Sequence, residues 1–324
     1  MASDAGARRV LILLNPSAGS RSGLPRVAAL REQLAQRNLV VDVLSDVEDL
    51  ANRAAALRSS GDLRAVIAAG GDGTVALVAN RTREGTPIGV LPLGTENLLS
   101  KHLGITGDAA QLTRTVYGGK TVRLDAGRAG NRLFLLMWSC GFDADVVRRL
   151  HQERRGHIVR CSYAKPILES ICSYPFPRLR VYGAPAEGGP QPAPSARRDA
   201  PAASRVPLWT GCWLFVMNLP CYAAGLGIVP DAVGDDGLLD MCAFRGGSVW
   251  SGMRYLAGVL LGCHRSWRDC TAFRVRRLRV ESDDPVPYQI DGDPGGWLPV
   301  DVEVLPGRLT LLVPEGPLGE GGSG

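Results

Sequence analysis

Residues 66–80 read VIAAGGDGTVALVAN, and the acid inside that glycine loop is the first chemical question. A glycine-rich turn between a strand and a helix seats phosphate, because bare backbone N–H groups can approach it closely. Asp72 would repel a bare phosphate. Either the loop holds something else or the carboxylate has chemistry there. Gly71, Gly73 and Ala76 also fit G-x-G-x-x-A, the dinucleotide pattern. That reading fails on context: the loop follows the third strand-like run, no acid follows at the next strand end to hold a ribose, and Asp72 would face the pyrophosphate.

A phosphotransferase site accommodates the acid better. Mg2+-bound ATP brings cationic charge beside its phosphates, so an Asp can hold metal, orient water or accept the proton of an incoming hydroxyl. Neither the Walker A pattern nor the protein-kinase H-R-D set is present. A different kinase architecture is implied.

The elements that must position Asp72 alternate in type. RRVLILLNP, LVVDVLS, RAVIAAG and PIGVLPLG read as strands, and PRVAALREQLAQRN, DVEDLANRAAALRSSG, TVALVANRTREG and ENLLSKHLG as helices. This order implies a parallel sheet covered by helices over residues 1–120. Ligands of such sheets sit beyond the carboxyl ends of the strands. Three loops fall on that rim: LLNPSAGSRSG, AAGGDGT and LPLGTEN.

After about residue 120 the pattern changes to many short strands punctuated by Gly and Pro, which suggests a mainly antiparallel β-sandwich domain over 121–314. The Pro/Ala/Gly-rich stretch 183–207 reads as a disordered insertion, and 315–324 as a disordered tail. Trp209, Trp213, Phe215 and Met217 alternate along one strand-like run, as core residues do, with a lipid-tail lining as the alternative.

Composition bounds the rest. The chain has 324 residues, 45% hydrophobic and 21% charged, as expected for a globular protein of two domains. The eight cysteines are scattered without a C-x-x-C pair, which argues against a disulfide framework or structural zinc. The start lacks a secretory pattern, and the longest apolar stretch, YLAGVLLGC (255–263), is too short to span a bilayer. A cytoplasmic protein is expected. The net charge of +5 draws on basic runs at 148–160 and 265–280. Solvated faces explain those runs, and attraction to anionic membrane surfaces is the functional alternative. No aromatic-interleaved motif supports nucleic acid.

The motifs LLNPSAGSRSG, AAGGDGT, LPLGTEN, GFDADV, DDGLLD and IDGDP occur in the order seen in the diacylglycerol kinase catalytic domain superfamily, which includes bacterial soluble lipid kinases and the sphingosine and ceramide kinases. The chain resembles that family from about residue 9 to about 313. GGDGT alone is shared with the NAD kinases, so the resemblance implies an NAD kinase-like α/β domain. DDGLLD and IDGDP make the resemblance specific to lipid kinases.

The resemblance implies ATP held by Asn15, Pro16, Ser17, Gly19, Gly70, Gly71, Gly73 and Thr74, with Gly94, Thr95 and Asn97 of the GT-x-N turn. It implies Mg2+ bound by the Asp236 side chain, with Val233 and Leu238 as backbone contributors. Asp293 corresponds to the late acid that is a candidate general base, Asp125 to a strand acid near the catalytic centre, and Asp72 to the acid of the glycine loop; the resemblance leaves either Asp72 or Asp293 to accept the hydroxyl proton. The reaction implied is γ-phosphoryl transfer to the hydroxyl of a diacylglycerol-like or sphingoid lipid. Transient peripheral membrane contact follows from such a substrate, and a homodimer is a further expectation. The alternatives are an NAD or other small-metabolite kinase, and a nucleotide- or lipid-binding homologue without catalysis.

Two departures from the family pattern stand out. Glu96-Asn97-Leu98 replaces a small residue followed by Asn-Asp, and Asp293 is one methylene shorter than the usual Glu. His102 and His157 are expected in surface or core roles. Asp143 and Asp145 are expected to cap the helix after Gly141.

Overall fold

The computed structural model describes residues 6–15, 23–152, 169–170, 173–187, 206–222 and 225–315. Two compact units emerge, one of Met1–Leu124 with Gly307–Gly324 and the other of Asp125–Pro306. The segment from Gly307 onward thus clusters with the first unit, whereas its sequence pattern groups it with the β-rich second part. The chain passes between units inside two strands, Thr121–Ala129 (β5) and Val300–Leu312 (β15).

In the first unit Arg9–Leu14 (β1), Val40–Leu44 (β2), Leu63–Gly70 (β3) and Pro87–Pro92 (β4) form a parallel sheet in the order β4-β3-β1-β2. Residues 310 and 311 of β15 add alongside β4, also in parallel. Five helices accompany the strands: Gly23–Ala35 (α1), Val47–Ser59 (α2), Asp72–Arg81 (α3), Leu98–His102 (α4) and Ala109–Gly118 (α5). β1 and β3 are nearly continuous apolar runs because both faces are covered. Val10, Ile12, Ala65, Ile67 and Ala69 pack with Val27, Leu30 and Leu34 of α1 and Leu112 and Val116 of α5. The order matters for function. β1 leads to β2 on one side while β3 leads to β4 on the other, so the strand order reverses between β1 and β3, the switch point at which open α/β sheets take ligands.

In the second unit the strands pair antiparallel. Met137–Gly141 (β7), Trp213–Met217 (β10), Leu239–Phe244 (β11), Cys270–Ser282 (β12), Pro287–Ile290 (β13) and Asp293–Trp297 (β14) follow the order β14-β13-β7-β10-β11-β12, and residues 300–303 of β15 pair with β12. Arg132–Phe134 (β6) pairs with β5, and Leu179–Glu187 (β8) with β12 and Trp209–Gly211 (β9). Two helices of this unit are Phe142–Gln152 (α6) and Val249–Leu260 (α7).

The parallel helix-covered first domain and the mainly antiparallel second one agree with the sequence pattern. Three local readings change. β8 runs to Glu187, so 183–187 are strand and not insertion; cross-strand bonding to β12 outweighs the Gly/Pro composition. Residues 188–205 and 316–324 lie outside the described residues. The run from 209 to 217 breaks into two strands, and Trp209 joins the core of Leu214 and Val216 rather than sharing a face with Trp213. Trp213 instead stacks on Phe142 at 4.5 Å between ring centroids. All four large residues of that run are buried. Finally, Asp143 and Asp145 lie in the first turn of α6, but their described bonds go to side chains. Asp145 binds Arg148, Arg149 and Ser170, and Asp143 binds Ser139, Tyr222 and Gln289.

Asp143 is partly buried in the second unit, and burial pushes its carboxyl up while the three donors pull it back. A folded-state pKa above the unfolded one means the protein keeps an extra proton across that window. The resulting stability is complete below the ordinary Asp pKa of about 3.9 and is lost as pH rises through the folded value. Asp143→Asn is expected to flatten this part of the pH dependence, because the Ser139 and Tyr222 hydroxyls can turn from donor to acceptor. Thermal melts from acid to neutral pH check it; parallel curves for the two proteins refute it.

Candidate active site

The nucleotide-loop candidates of the first unit are brought together by glycine. Gly70 ends β3 and Gly71 caps α3, with Asp72 as the first residue of the helix. A Cβ on Gly94 would stand 2.6 Å from the Gly71 Cα, and one on Gly70 would stand 2.1 Å from the Thr74 hydroxyl oxygen. The backbones of AAGGDGT and LPLGTEN therefore lie against each other at a distance only glycine allows. The Leu93 N–H donates to the Gly70 carbonyl at 2.9 Å, which fixes the register of the two loops. Asn15, at the end of β1, donates from Nδ2 to the Thr74 hydroxyl at 3.3 Å. Thr74 is buried, whereas Gly73 and Thr95 are exposed.

Asp72 binds the start of a neighbouring helix. Its Oδ2 accepts the Leu98 N–H at 2.9 Å and its Oδ1 accepts the Leu99 N–H at 3.0 Å. These are first-turn donors of α4, groups that have no partner within the helix itself. Asn97, the residue in the N-cap position, makes no capping bond. It adopts a left-handed conformation with φ 48°, accepts the Gly94 N–H at 3.0 Å and donates to the Gly94 carbonyl at 2.7 Å. Thus the glycine loop supplies the cap that the GT-x-N turn lacks. Burial raises the Asp72 pKa, against the two backbone N–H donors and the Lys101 charge, which lower it. The Glu96 departure pairs with Lys101 at 3.9 Å. Leu98, where the family has an acid, needs only its backbone N–H for this contact.

Pro16, Ser17 and Gly19 lie outside the described residues, as does His157. His102 ends α4, partly buried, and burial lowers its pKa.

In the second unit Asp125 is 2% exposed, and its Oδ2 accepts the Gly237 N–H at 2.7 Å while its own N–H donates to the Gly234 carbonyl at 2.7 Å. It ties β5 to the DDGLLD turn. Asp236 in that turn accepts the Leu238 N–H on Oδ1 at 2.9 Å, and its Oδ2 lies 3.4 Å from the Arg274 guanidinium. Arg274 also reaches Asp240 at 3.3 Å. Val233 is largely exposed and the Leu238 side chain buried. This donor set fits a resident divalent ion poorly. One carboxylate oxygen is engaged by backbone and the other faces a guanidinium, and no group of three or more His, Cys, Asp or Glu assembles among the described residues.

Asp293 begins β14 with its carboxylate half exposed, and the His151 Nε2 of α6 lies 3.2 Å from its Oδ1. The other ring nitrogen of His151 lies 3.3 Å from the Val147 carbonyl oxygen. The imidazole is therefore bracketed between a backbone oxygen and the candidate base. His151 escaped the sequence reading because 142 residues of chain separate the partners, and only the packing of α6 on β13 and β14 joins them.

Asp291 is a second residue that pattern alone did not single out. At φ 50° it accepts N–H groups from Leu135 at 2.7 Å and from Leu136 and Met137 at 2.9 Å each. It anchors the turn that presents Asp293.

Two family models match the chain: the diacylglycerol kinase catalytic domain over residues 9–129, and the YegS C-terminal NAD kinase beta sandwich-like domain over residues 137–313. The chain is 27% identical to a probable lipid kinase YegS-like protein of Chromohalobacter salexigens, covering 92% of each chain. It is 26% identical to a diacylglycerol kinase of Mycobacterium tuberculosis, covering 94% of this chain and 95% of that one. A crystal structure of a putative diacylglycerol kinase from Bacillus anthracis superposes with a TM-score of 0.68 at 19% identity, over 95% of this chain and 96% of the other, which shows a common fold. With both halves matched in order, the chain belongs to the diacylglycerol kinase catalytic domain family, in the group that carries a YegS-type C-terminal domain.

Proposed function

We propose that the protein is an ATP-dependent lipid kinase, transferring the γ-phosphoryl group of Mg–ATP to the hydroxyl of a diacylglycerol-like or sphingoid lipid. The observation that carries this reading is the pair of apposed glycine loops near the β1/β3 switch point. Their backbones approach too closely for any side chain, and they meet at the N-terminal end of α3, the end of a helix that favours an anion. Asp72 is turned away from that anion by its two bonds to α4, so the contradiction of an acid in a phosphate loop disappears.

In the transfer, the acceptor oxygen bonds to the γ-phosphorus, the bond to the leaving ADP oxygen breaks, and the acceptor proton passes to a carboxylate. Asp293 suits that last role better than Asp72. It is half exposed and oriented by His151, whereas both Asp72 oxygens already hold backbone N–H groups. Mg2+ bound with ATP would supply positive charge beside the phosphates.

The test is a panel of acceptors with labelled ATP: diacylglycerol, a sphingoid base, ceramide and NAD. Label extracted into chloroform with a lipid acceptor is the expected result. Label confined to the aqueous NAD product would establish a metabolite kinase, and ATP binding without turnover of any acceptor would establish a binding protein.

A further inference from the structure

Helix α7 carries an apolar stripe that the fold leaves uncovered. Its buried side is Gly252, Tyr255, Gly258 and Val259. On the other side Trp250 is 79% exposed, Leu260 63%, Leu261 79%, Met253 39% and Val249 37%. At about 100° per residue these five positions fall within a continuous sector of roughly 120°, the width of a helix face. Single exposed apolar side chains are ordinary, but a contiguous stripe of this kind marks an interaction surface.

Three arginines lie near the stripe in sequence, two of them already ion-paired. Arg254 stands at its margin, paired with Asp269 and lying 4.8 Å from the centre of the Trp267 ring. Arg265 pairs with Asp231, while Arg268 has no ion-pair partner among the described residues. An apolar face with Trp at one end, Leu at the other and Arg alongside has the composition of a helix that lies in the plane of a membrane interface. A second copy of this chain is a poorer occupant. A helix of 12 residues offers a footprint of only about 18 Å by 10 Å, far below the roughly 800 Å2 per partner of a stable dimer. A twofold contact would also bring the same arginines towards their own copies.

Resting on the lipid-kinase reading, we infer that α7 docks the protein on bilayers carrying anionic phospholipids, with Trp250, Leu260 and Leu261 entering the interface and Arg268 facing the head groups. The water-insoluble acceptor is then met where it resides.

The test uses the full chain in sedimentation with vesicles of phosphatidylcholine, with and without phosphatidylglycerol. The unaltered protein should bind the anionic vesicles. The triple variant Trp250→Ser/Leu260→Ser/Leu261→Ser should bind at least about tenfold more weakly, because three large apolar side chains are lost. Arg268→Glu should lose affinity only for the anionic vesicles, by about tenfold. All four side chains lie on the surface, so the melting temperature should not move. Turnover of a dispersed short-chain acceptor should also stay unchanged. Failure of the unaltered protein to bind vesicles, or equal binding by the triple variant, overturns the inference. So does a solution dimer that the triple variant dissociates, since a second copy then covers the face. Vesicle binding that depends on the stripe, with no lipid phosphorylated, supports the docking face and removes the lipid-kinase reading instead.

Discussion

Asp72→Asn is expected to lower both stability and turnover, although the substitution is nearly isosteric. Each carboxylate oxygen accepts one backbone N–H of α4. An asparagine has one oxygen to accept and an NH2 that meets the second N–H donor to donor. Losing one charge-assisted bond and leaving a partly buried N–H without its acceptor costs about 1–3 kcal/mol. The consequence for function is larger, because the Gly94–Asn97 turn rests on the same contact and a displacement near 1 Å in a positioned group costs on the order of 100-fold in rate. Hydrogen exchange at Leu98 and Leu99, a thermal melt and ATP turnover together decide it. Undiminished protection at both amides with an unchanged melting temperature would rule out the capping role. A loss of turnover in that case would point to direct chemistry by the carboxylate.

The second large effect is expected at Asp291. Three successive backbone N–H groups, from Leu135 to Met137, converge on its carboxylate. Asp291→Ala removes all three acceptor contacts and places a residue without a polar side chain at φ 50°. Left-handed geometry costs an alanine about 1 kcal/mol, and the released donors bring the total to about 3–5 kcal/mol. Asp291→Asn should recover part of this, since Asn tolerates the left-handed region and keeps one acceptor. Urea midpoints in the order wild type, Asn, Ala are the expected outcome. Equal midpoints for Asn and Ala would contradict the hydrogen-bond account. Because Asp293 lies two residues on, turnover should fall in the same order under the proposed reaction.

The two departures from the family pattern take on different weights once placed. Glu96 becomes part of a surface pair with Lys101, and Leu98 serves through its backbone, so that turn keeps its shape without the family's acid. The shorter Asp293 has a partner from another element: the His151 Nε2 of α6 lies 3.2 Å from its Oδ1. That contact is the kind of support a short side chain needs to act as a positioned base.

The sequence alone determined the alternation of strands and helices up to residue 120, the change to short antiparallel strands after it, and the rim position of the glycine loops. These are local properties. A doubly covered strand must be apolar throughout, a phosphate loop must lack side chains, and both are written within ten residues of chain. The ordered motifs from LLNP to IDGDP also carried the family resemblance. What tertiary structure decided is partnership between distant segments. Asp72 and Leu98 lie 26 residues apart, Asp125 and Gly237 lie 112 apart, and Asp291 and Leu135 lie 156 apart. No periodicity encodes such contacts, because a carboxylate that caps a foreign helix and one that binds a phosphate-bound metal have the same local pattern. The same holds for α7, whose apolar sector reads as core until packing shows which side the fold has covered. An acid in a glycine loop thus posed a chemical contradiction in sequence. The fold gives that charge two backbone donors of α4 as partners.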